Sequence, residues 1–360
     1  MQAPADRNDV VQATADRGIS RDDIAIFDRA SGGFDTDSPE KWGRNFWSCL
    51  SSYDPAIGAC RTMPAEVGAG STEIQLLFKE QETGATAVLK LLGQMRMGIH
   101  VDCNGNVMSG KTSTSILPIH SNLRFHNTGC KNSVVYFDER LLSVNIPAAE
   151  IAKLPSGGIW TANLTFRLRR GDVSAYPLLA WFRASVTLNV TDKNNIQIYL
   201  PEFGNATPTV DLRLRKLPNG SRMSGTSTVD MCLYDGYNSQ STWFDVSVSD
   251  GLTIDRREKG QYSVLLDADK SGAYESRIDY NASLTFAGKR ITLPNNETVR
   301  IQGVNNSAGR SVSLPGIPVP VICTPTPLTL ETPEFQSAWK RPGKYSNKLT
   351  ITFTPSSASL

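Results

Sequence analysis

The stretch Tyr345-Ser-Asn-Lys-Leu-Thr-Ile-Thr-Phe-Thr-Pro-Ser-Ser-Ala-Ser-Leu360 decides the fold of this chain. Within it, Leu349, Ile351 and Phe353 alternate with threonines, which is the two-residue period of a half-buried β-strand. An apolar strand must lie beside another strand, because an uncovered apolar edge promotes aggregation. We therefore expect either an earlier strand of the same chain or a strand of a second protein to cover this edge.

The size and charge of the chain limit its function classes. At 360 residues it is too long for one compact sandwich and fits two domains. Its 37 basic and 35 acidic residues give a net charge of +2, which argues against nucleic acid as a partner. No apolar run approaches the roughly 20 residues that span a bilayer, and the first residues lack the apolar core of a signal peptide.

The six cysteines favour an oxidising compartment. They allow 15 pairings, and we favour the nearest-neighbour solution because it keeps every bridge within one half of the chain. No pair has C-x-x-C spacing and the chain has only 3 histidines, so the sequence indicates no metal site and no cofactor. The nearest-neighbour pairs are Cys49–Cys60, Cys103–Cys130 and Cys232–Cys323. The alternative to disulfides is six free thiols in a cytosolic protein.

Short β-rich runs separated by turn residues fill most of the chain, and the best helix candidate is a short one at residues 148–153. This pattern predicts an all-β fold made of β-sandwiches. The N-terminal residues differ, because they are crowded with charges and show no alternating apolar set. The predicted strands are 74–78, 87–92, 134–137, 141–146, 160–168, 179–190, 196–200, 210–214, 229–234, 244–248, 262–266, 282–286 and 349–353.

Four segments carry a family resemblance: Asp230-Met-Cys-Leu-Tyr-Asp-Gly-Tyr-Asn-Ser239, Thr191-Asp-Lys-Asn-Asn-Ile-Gln-Ile-Tyr-Leu-Pro-Glu-Phe203, Lys153-Leu-Pro-Ser-Gly-Gly-Ile-Trp160 and Ile351-Thr-Phe-Thr-Pro-Ser-Ser357. They resemble the CfaE/CblD-type minor subunits, which are tip adhesins and assembly initiators of bacterial chaperone–usher fimbriae. The resemblance implies two Ig-like β-sandwich domains in tandem and the same three local disulfides. It places an adhesin domain at residues 1–191, a short linker at about 192–194 and a pilin domain at 195–360.

The resemblance also gives the terminal strand a function. A pilin domain of this family is an incomplete sandwich, and its apolar groove would run along Leu349, Ile351 and Phe353 in this chain. A periplasmic chaperone fills such a groove first, and the N-terminal extension of the major pilin subunit then replaces it as a donor strand. The outer-membrane usher is a further partner. The charged N-terminus of this chain is a poor donor, so the resemblance implies a subunit at the fimbrial tip on the cell surface.

In this family an arginine shortly before the first cysteine and an arginine pair at a strand end form a basic receptor-binding patch. The matching residues are Arg44, Arg169 and Arg170, and the implied receptor is a host glycoconjugate. Arginine suits this role because its planar fork binds a carboxylate or sulfate bidentately. From the strand pattern alone, we also expect Arg167 to lie opposite Arg183, a like-charge pair that an anionic partner would relieve.

Three alternatives remain open from the sequence. In the first, the arginines of the patch form ordinary surface salt bridges with residues such as Asp172 or Glu150 instead of binding a receptor. The same choice applies to Trp42 and Trp47, which are either sugar-stacking platforms or core residues. The protein is a pilus initiator without adhesive activity. Or it is a secreted β-sandwich carbohydrate-active protein, although no acidic pair and no nucleophile or phosphate-loop motif indicates an enzyme.

Overall fold

The structure, a computed structural model, describes residues 2–19, 22–34, 42–101, 107–108, 115–123, 126–130, 133–205, 207–218 and 220–360. The described residues form β-strands with one short α-helix, which confirms the all-β class. The chain divides into two compact units, Met1–Val190 and Thr191–Leu360. Within the described ranges, no helix has the length and apolar character needed to cross a membrane.

The described residues of the first unit form one sheet. Its hydrogen-bonded order is β1-β10-β9-β4-β5-β8-β2, with β3 paired to β9, β6 to β5 and β7 to β8. The elements are β1 (Arg7–Asp16), β2 (Ile24–Phe34), β3 (Phe46–Ser48), β4 (Thr72–Glu80), β5 (Thr86–Val101), β6 (Val107–Met108), β7 (His126–Cys130), β8 (Ser133–Ile146), α1 (Ala148–Ile151), β9 (Gly158–Arg169) and β10 (Leu178–Thr191).

This sheet folds over on itself, because side chains from strands far apart in the order meet in one core. The ring of Phe27 on β2 lies 6.3 Å from that of Phe166 on β9 and 6.0 Å from that of Phe182 on β10. Along β9 and β10 every second residue is buried, as the apolar period predicts. Burying each such ring contributes roughly 1.5–3 kcal/mol before the entropy of ordering the chain is subtracted.

Strand β1 shows that one sequence expectation is wrong. The N-terminal residues do contain an alternating apolar set, since Val11, Ala13 and Ala15 all pack against the core of the first unit. Small alanines set among many charges give a weak period, which is why the pattern is easily missed. The segment lies beside β10 in the sheet of its own unit.

Strand β9 ends where the chain must pass very close to Arg44. A side-chain carbon added to Gly171 would lie 2.0 Å from the Arg44 carbonyl oxygen and 2.8 Å from the side chain of Asn122. The Asn122 amide also donates a hydrogen bond to the Gly171 carbonyl at 3.3 Å. Only glycine fits this close approach. Strand β9 ends at Arg169, one residue beyond the predicted strand 160–168, and the return strand β10 has an irregularity between Leu178 and Ala180.

In the second unit, the described residues form three sheets. Their orders are β11-β14-β21-β20, β12-β13-β22-β17-β16-β23 with β18 on β17, and β19-β15-β24. The strands are β11 (Gln197–Tyr199), β12 (Arg215–Lys216), β13 (Arg222–Val229), β14 (Cys232–Tyr234), β15 (Trp243–Ser249), β16 (Tyr262–Leu266), β17 (Arg277–Phe286), β18 (Lys289–Leu293), β19 (Thr298–Gln302), β20 (Arg310–Val312), β21 (Val321–Pro325), β22 (Leu328–Gln336), β23 (Tyr345–Ser346) and β24 (Thr350–Pro355).

The predicted strand at residues 210–214 is wrong. Val210 and Leu212 do pack on the core of the second unit, but the segment joins no sheet. Arg213 adopts a left-handed conformation with φ of 53°, and the Asp211 carboxylate accepts its main-chain N–H at 2.7 Å. This local turn captures a backbone donor that a strand would share with its neighbour.

Strand β24 lies at the edge of its sheet and has apolar side chains that are only half covered. It pairs with β15, where Phe353 lies opposite Val246 and Ile351 opposite Val248. The inward side chains of β15 are fully buried, whereas Leu349, Ile351 and Phe353 are half-buried in the same core. Among the described residues, no strand pairs with the other edge of β24.

A buried charge cluster fixes the turn that leads into β24. The Asp250 carboxylate accepts hydrogen bonds from Arg257 at 2.5 Å, from the Ser263 N–H at 2.9 Å and from Asn295 at 2.9 Å. Burial alone would raise the pKa of Asp250, but the hydrogen bonds from Asn295 and Arg257 outweigh it and lower the pKa. Asn347 donates its amide to the carbonyl oxygens of Asp250 and Ser263, which ties the start of β24 to this cluster.

We expect Asp250→Asn to destabilise the second unit by about 3 kcal/mol, because it leaves the buried Arg257 guanidinium without its carboxylate. The stability from this carboxylate is present above its ordinary pKa of about 3.9 and is lost as pH falls through the lower native value. Thermal unfolding of wild type and variant should differ at pH 7 and converge at strongly acidic pH. The exposed Asp255→Asn is the control, and equal melting of Asp250→Asn and wild type at pH 7 would contradict this role of the carboxylate.

We expect Gly171→Ala to cost roughly 1–3 kcal/mol, because the added methyl group overlaps the main chain of Arg44. Chemical denaturation of the full chain measures the loss as a lower midpoint for the first unit. Gly204→Ala is the matched control, since a carbon added there meets no atom within 4 Å. If the two variants unfold alike, the close approach at Gly171 does not constrain the site.

Candidate functional site

The sheet brings together the three arginines that the sequence suggested as one patch. Strand β3 pairs with the end of β9, so that Phe46 lies opposite Arg169, and Arg44 is two residues before Phe46. On the other side, Gly171 follows Arg170 and abuts the Arg44 main chain. Backbone pairing therefore places Arg44, Arg169 and Arg170 at one end of β9, although they are far apart in sequence.

Arg44 is held in place by neighbours on its own side of the patch. Its Nε donates to the Asn122 carbonyl at 2.8 Å, and its Nη2 donates to the Glu66 carboxylate at 2.8 Å. The Arg44 side chain is 22% exposed, while Glu66 is largely open to solvent. One carboxylate therefore already balances the charge of Arg44.

Arg170 is also paired, in the way the salt-bridge alternative predicted. It binds Asp172 bidentately, with Nε at 2.6 Å and Nη2 at 2.8 Å from the two carboxylate oxygens. The hydrogen bond to Asp172 raises the pKa of Arg170. The guanidinium lies over the ring of Trp42, 5.7 Å from its centroid. Trp42 and Trp47 are both buried, so the core alternative holds and the sugar-stacking alternative is wrong for these two residues.

Arg169 differs from the other two arginines. Among the described residues it forms no hydrogen bond and no salt bridge, and its Nε is buried without an acceptor. It lies on the outward face of β9, two residues from Arg167. The charge of Arg169 adds to burial in lowering the pKa of Arg167. This is a region of positive charge that no nearby carboxylate of the described chain balances.

The expected pairing of Arg167 with Arg183 is wrong. Arg167 lies opposite Trp181, and Arg183 lies opposite Thr165. The observed register differs by two residues from the expected one, and such a shift leaves the same side chains facing inward. Alternation alone therefore cannot distinguish the two registers. Arg167 instead donates from Nη2 to the carbonyl oxygens of Cys49 and Leu50, at 3.0 and 3.4 Å.

An open cavity of about 390 Å³ lies beside Arg44, and its lining is mostly polar. The loop after β9 forms one wall, where Tyr176 packs edge-on against Phe46 with ring centroids 5.6 Å apart. Ala175 and Tyr176 both have positive φ, 69° and 45°, which is a strained conformation for residues other than glycine. The lining residues are Arg44, Pro64, Ala65, Glu66, Asn122, Gly171, Asp172, Val173, Ser174 and Tyr176.

Sequence reasoning missed Arg140, which supports this cavity from below. It is fully buried, and it donates to the Gly43 carbonyl from Nε and to the Leu123 carbonyl from Nη2, both at 2.5 Å. Burial, and then the charge of Arg44, lowers its pKa to about 9. Arg140 thus ties the residue before Arg44 to the residue after Asn122. Arg140 is the last of three consecutive charged residues, in the gap between the predicted strands 134–137 and 141–146, so the sequence gives no signal that it is buried.

Two of the three expected disulfides are present. Cys49 pairs with Cys60 and Cys232 with Cys323, with Cα atoms 5.3 and 5.7 Å apart. The first bridge closes the loop that Arg167 holds, and the second joins β14 to β21. Cys103 lies outside the described residues, so its bridge to Cys130 stays a prediction.

Known proteins match nearly the whole length of this architecture. The CfaE family of CFA/I fimbrial subunits matches with its first domain over residues 1–193 and its second domain over residues 196–357. The CFA/I fimbrial protein CfaE of Escherichia coli is 30% identical over 342 residues, which cover 89% of this chain and 82% of that relative.

Solved structures indicate the same family as the sequence matches. CfaE, the adhesive subunit of the CFA/I fimbria of enterotoxigenic Escherichia coli, superposes with a TM-score of 0.77 at 28% identity, covering 98% of this chain and 94% of that one. A chain from a chaperone–tip adhesin complex of CFA/I fimbriae superposes with a TM-score of 0.68 at 27% identity, covering 99% and 98%. The chain therefore belongs to the CfaE family of CFA/I fimbrial subunits, whose members are CfaE-type fimbrial tip adhesins.

Proposed function

We propose that this protein sits at the tip of a chaperone–usher fimbria, binds a host glycoconjugate through its first unit and starts pilus assembly through its second. The second unit accepts a strand from a periplasmic chaperone and then a donor strand from the major pilin subunit, at the outer-membrane usher. The protein works by binding and assembly, without chemical turnover and without a cofactor. Family membership supports the place of the protein in a chaperone–usher fimbria and the chaperone as a partner.

The open edge of β24 is the observation that carries the assembly half of the proposal. Its outward main-chain groups have no strand partner among the described residues, and Leu349, Ile351 and Phe353 cover only part of the core. An added strand would make main-chain hydrogen bonds along this edge and place every second side chain over the core. Completing the burial of three half-covered side chains would contribute roughly 1 kcal/mol each.

The charge distribution supports the adhesive half. Arg169 has no counter-charge among the described residues, and Arg44 and Arg170 lie close by at the same end of β9. Guanidinium groups at a strand end that are partly open to solvent suit a carboxylate or sulfate on a glycan. The ion pairs of Arg44 with Glu66 and of Arg170 with Asp172 favour a second candidate, a pilus initiator whose patch no longer binds a receptor.

Arg169→Ala separates the two candidates. We expect it to reduce adhesion of fimbriated bacteria to host cells at least tenfold, because a charge-assisted contact contributes roughly 1.5–3 kcal/mol. Pilus display, measured with antibody to the major pilin, should stay normal. Arg222→Ala, an exposed arginine of the second unit, is the control. Normal adhesion of the Arg169→Ala strain would leave the initiator without adhesive activity as the better candidate.

A fused donor strand tests the assembly half. We attach the N-terminal extension of the major pilin after Leu360 through a short turn, and we expect the melting temperature of the second unit to rise by roughly 10 °C. The control peptide has serine at its alternating apolar positions and should give little or no rise. Equal melting of the fused and unfused proteins would mean that the second unit is already complete.

A further inference from the structure

The four arginines near the end of β9 differ in whether a carboxylate pairs with them. Arg44 and Arg170 each have a carboxylate partner within 2.8 Å. Arg167 and Arg169 have none in the described part of the chain, and they are neighbours on the outward face of β9. Residues two apart on a strand are roughly 7 Å apart along it, which is close enough for one anion to contact both guanidinium groups.

The hydrogen-bond donors of this pair are not all used. A guanidinium group carries five N–H donors. Arg167 uses Nη2 for the carbonyl oxygens of Cys49 and Leu50, but its Nε is buried without an acceptor, as is the Nε of Arg169. Buried donors without acceptors are uncommon and costly, by roughly 1–3 kcal/mol each. These two Nε atoms are closed to solvent, whereas no Nη group of either arginine is among the buried donors without an acceptor. An anion from outside the chain would therefore be bound by the Nη groups.

Repulsion between the two charges points the same way. Burial and the charge of Arg169 both lower the pKa of Arg167, so the charged form of Arg167 is destabilised where it lies. Like charges that are close on one sheet face destabilise the fold. A bound anion would convert this repulsion into two charge-assisted contacts.

One aromatic side chain lies beside the pair, and a second is carried on the disulfide loop that Arg167 holds. Trp181 is half-buried and lies directly opposite Arg167 on β10. The loop closed by Cys49–Cys60 carries Tyr53, whose side chain is 86% exposed. That loop is well fixed, since Ser51 accepts the N–H of Tyr53 and Arg167 holds its first residues. Aromatic faces beside a cation pair suit a sugar ring that carries an acidic group.

We propose that Arg167 and Arg169 together bind the acidic group of the receptor, a carboxylate or a sulfate carried on a sugar. Arg44 and Arg170, held by Glu66 and Asp172, shape the rim of the site. Arg167 is thus a further binding residue beyond the patch that the sequence suggested. This inference rests on the proposed adhesive function.

The test measures binding of sialyllactose, sulfolactose and neutral lactose to the full chain by calorimetry. The wild type should bind at least one acidic sugar at least tenfold more tightly than lactose. Arg167→Gln removes the charge but leaves a polar amide at this position, and it should lose that preference. Arg167→Lys keeps the charge and should retain most of it. Arg222→Gln, at an exposed arginine of the second unit, is the control and should bind as the wild type does.

The outcomes separate this inference from the proposed function. Loss of preference in Arg167→Gln but not in Arg167→Lys supports the pair, and the acidic sugar that binds tells whether the group is a carboxylate or a sulfate. If Arg167→Gln binds like the wild type while Arg169→Ala does not, Arg167 is no binding residue and the adhesive function stands. If the wild type shows no preference for either acidic sugar, the anion site is wrong, whatever the adhesion assay gives.

Discussion

Strand β24 pairs with β15 on one edge, and among the described residues no strand pairs with its other edge. The proposed assembly function depends on this unpaired edge. The inward side chains of β15 are fully buried, while the side chains of Leu349, Ile351 and Phe353 are only half-buried in the same core. The Asp250 cluster and Asn347 hold the start of β24 in position. The edge is therefore fixed before a partner arrives, which lowers the cost of ordering it on binding.

The first unit uses a rigid sheet to concentrate positive charge. Pairing of β3 with β9 brings Arg44 to the strand end, and the close approach at Gly171 holds it there. Arg140 supports both flanking segments from the interior. Carboxylates pair with Arg44 and Arg170. Arg169, beside Arg167, has no counter-charge among the described residues. Arg167 holds the disulfide loop through its Nη2 group, but the closeness of the two positive charges is unfavourable, and a bound anion would relieve it.

Much of the fold was predictable, because alternation reports directly which face of a strand is buried. It gave the all-β class, the inward faces of β9 and β10 and the terminal strand. Alternation failed to predict features that depend on backbone geometry. Residues 210–214 form a turn at Arg213 and not a strand. The observed register of β9 with β10 differs by two residues from the expected one, and such a shift leaves the same side chains facing inward. In the site, the family resemblance suggested three arginines that the structure does bring to one strand end, and their role in binding stays a prediction. The carboxylates that pair with them, and the buried Arg140, depend on contacts between segments distant in sequence, which no local pattern encodes.

Amide hydrogen exchange along β24, with and without a donor peptide in trans, tests the open edge most directly. Main-chain N–H groups of residues 350–354 that point away from β15 should exchange quickly in the protein alone and become protected when an alternating apolar peptide binds. The groups that pair with β15 should be protected in both states. Protection of all these amides in the protein alone, unchanged by the peptide, would show that the edge is already closed and would contradict strand acceptance.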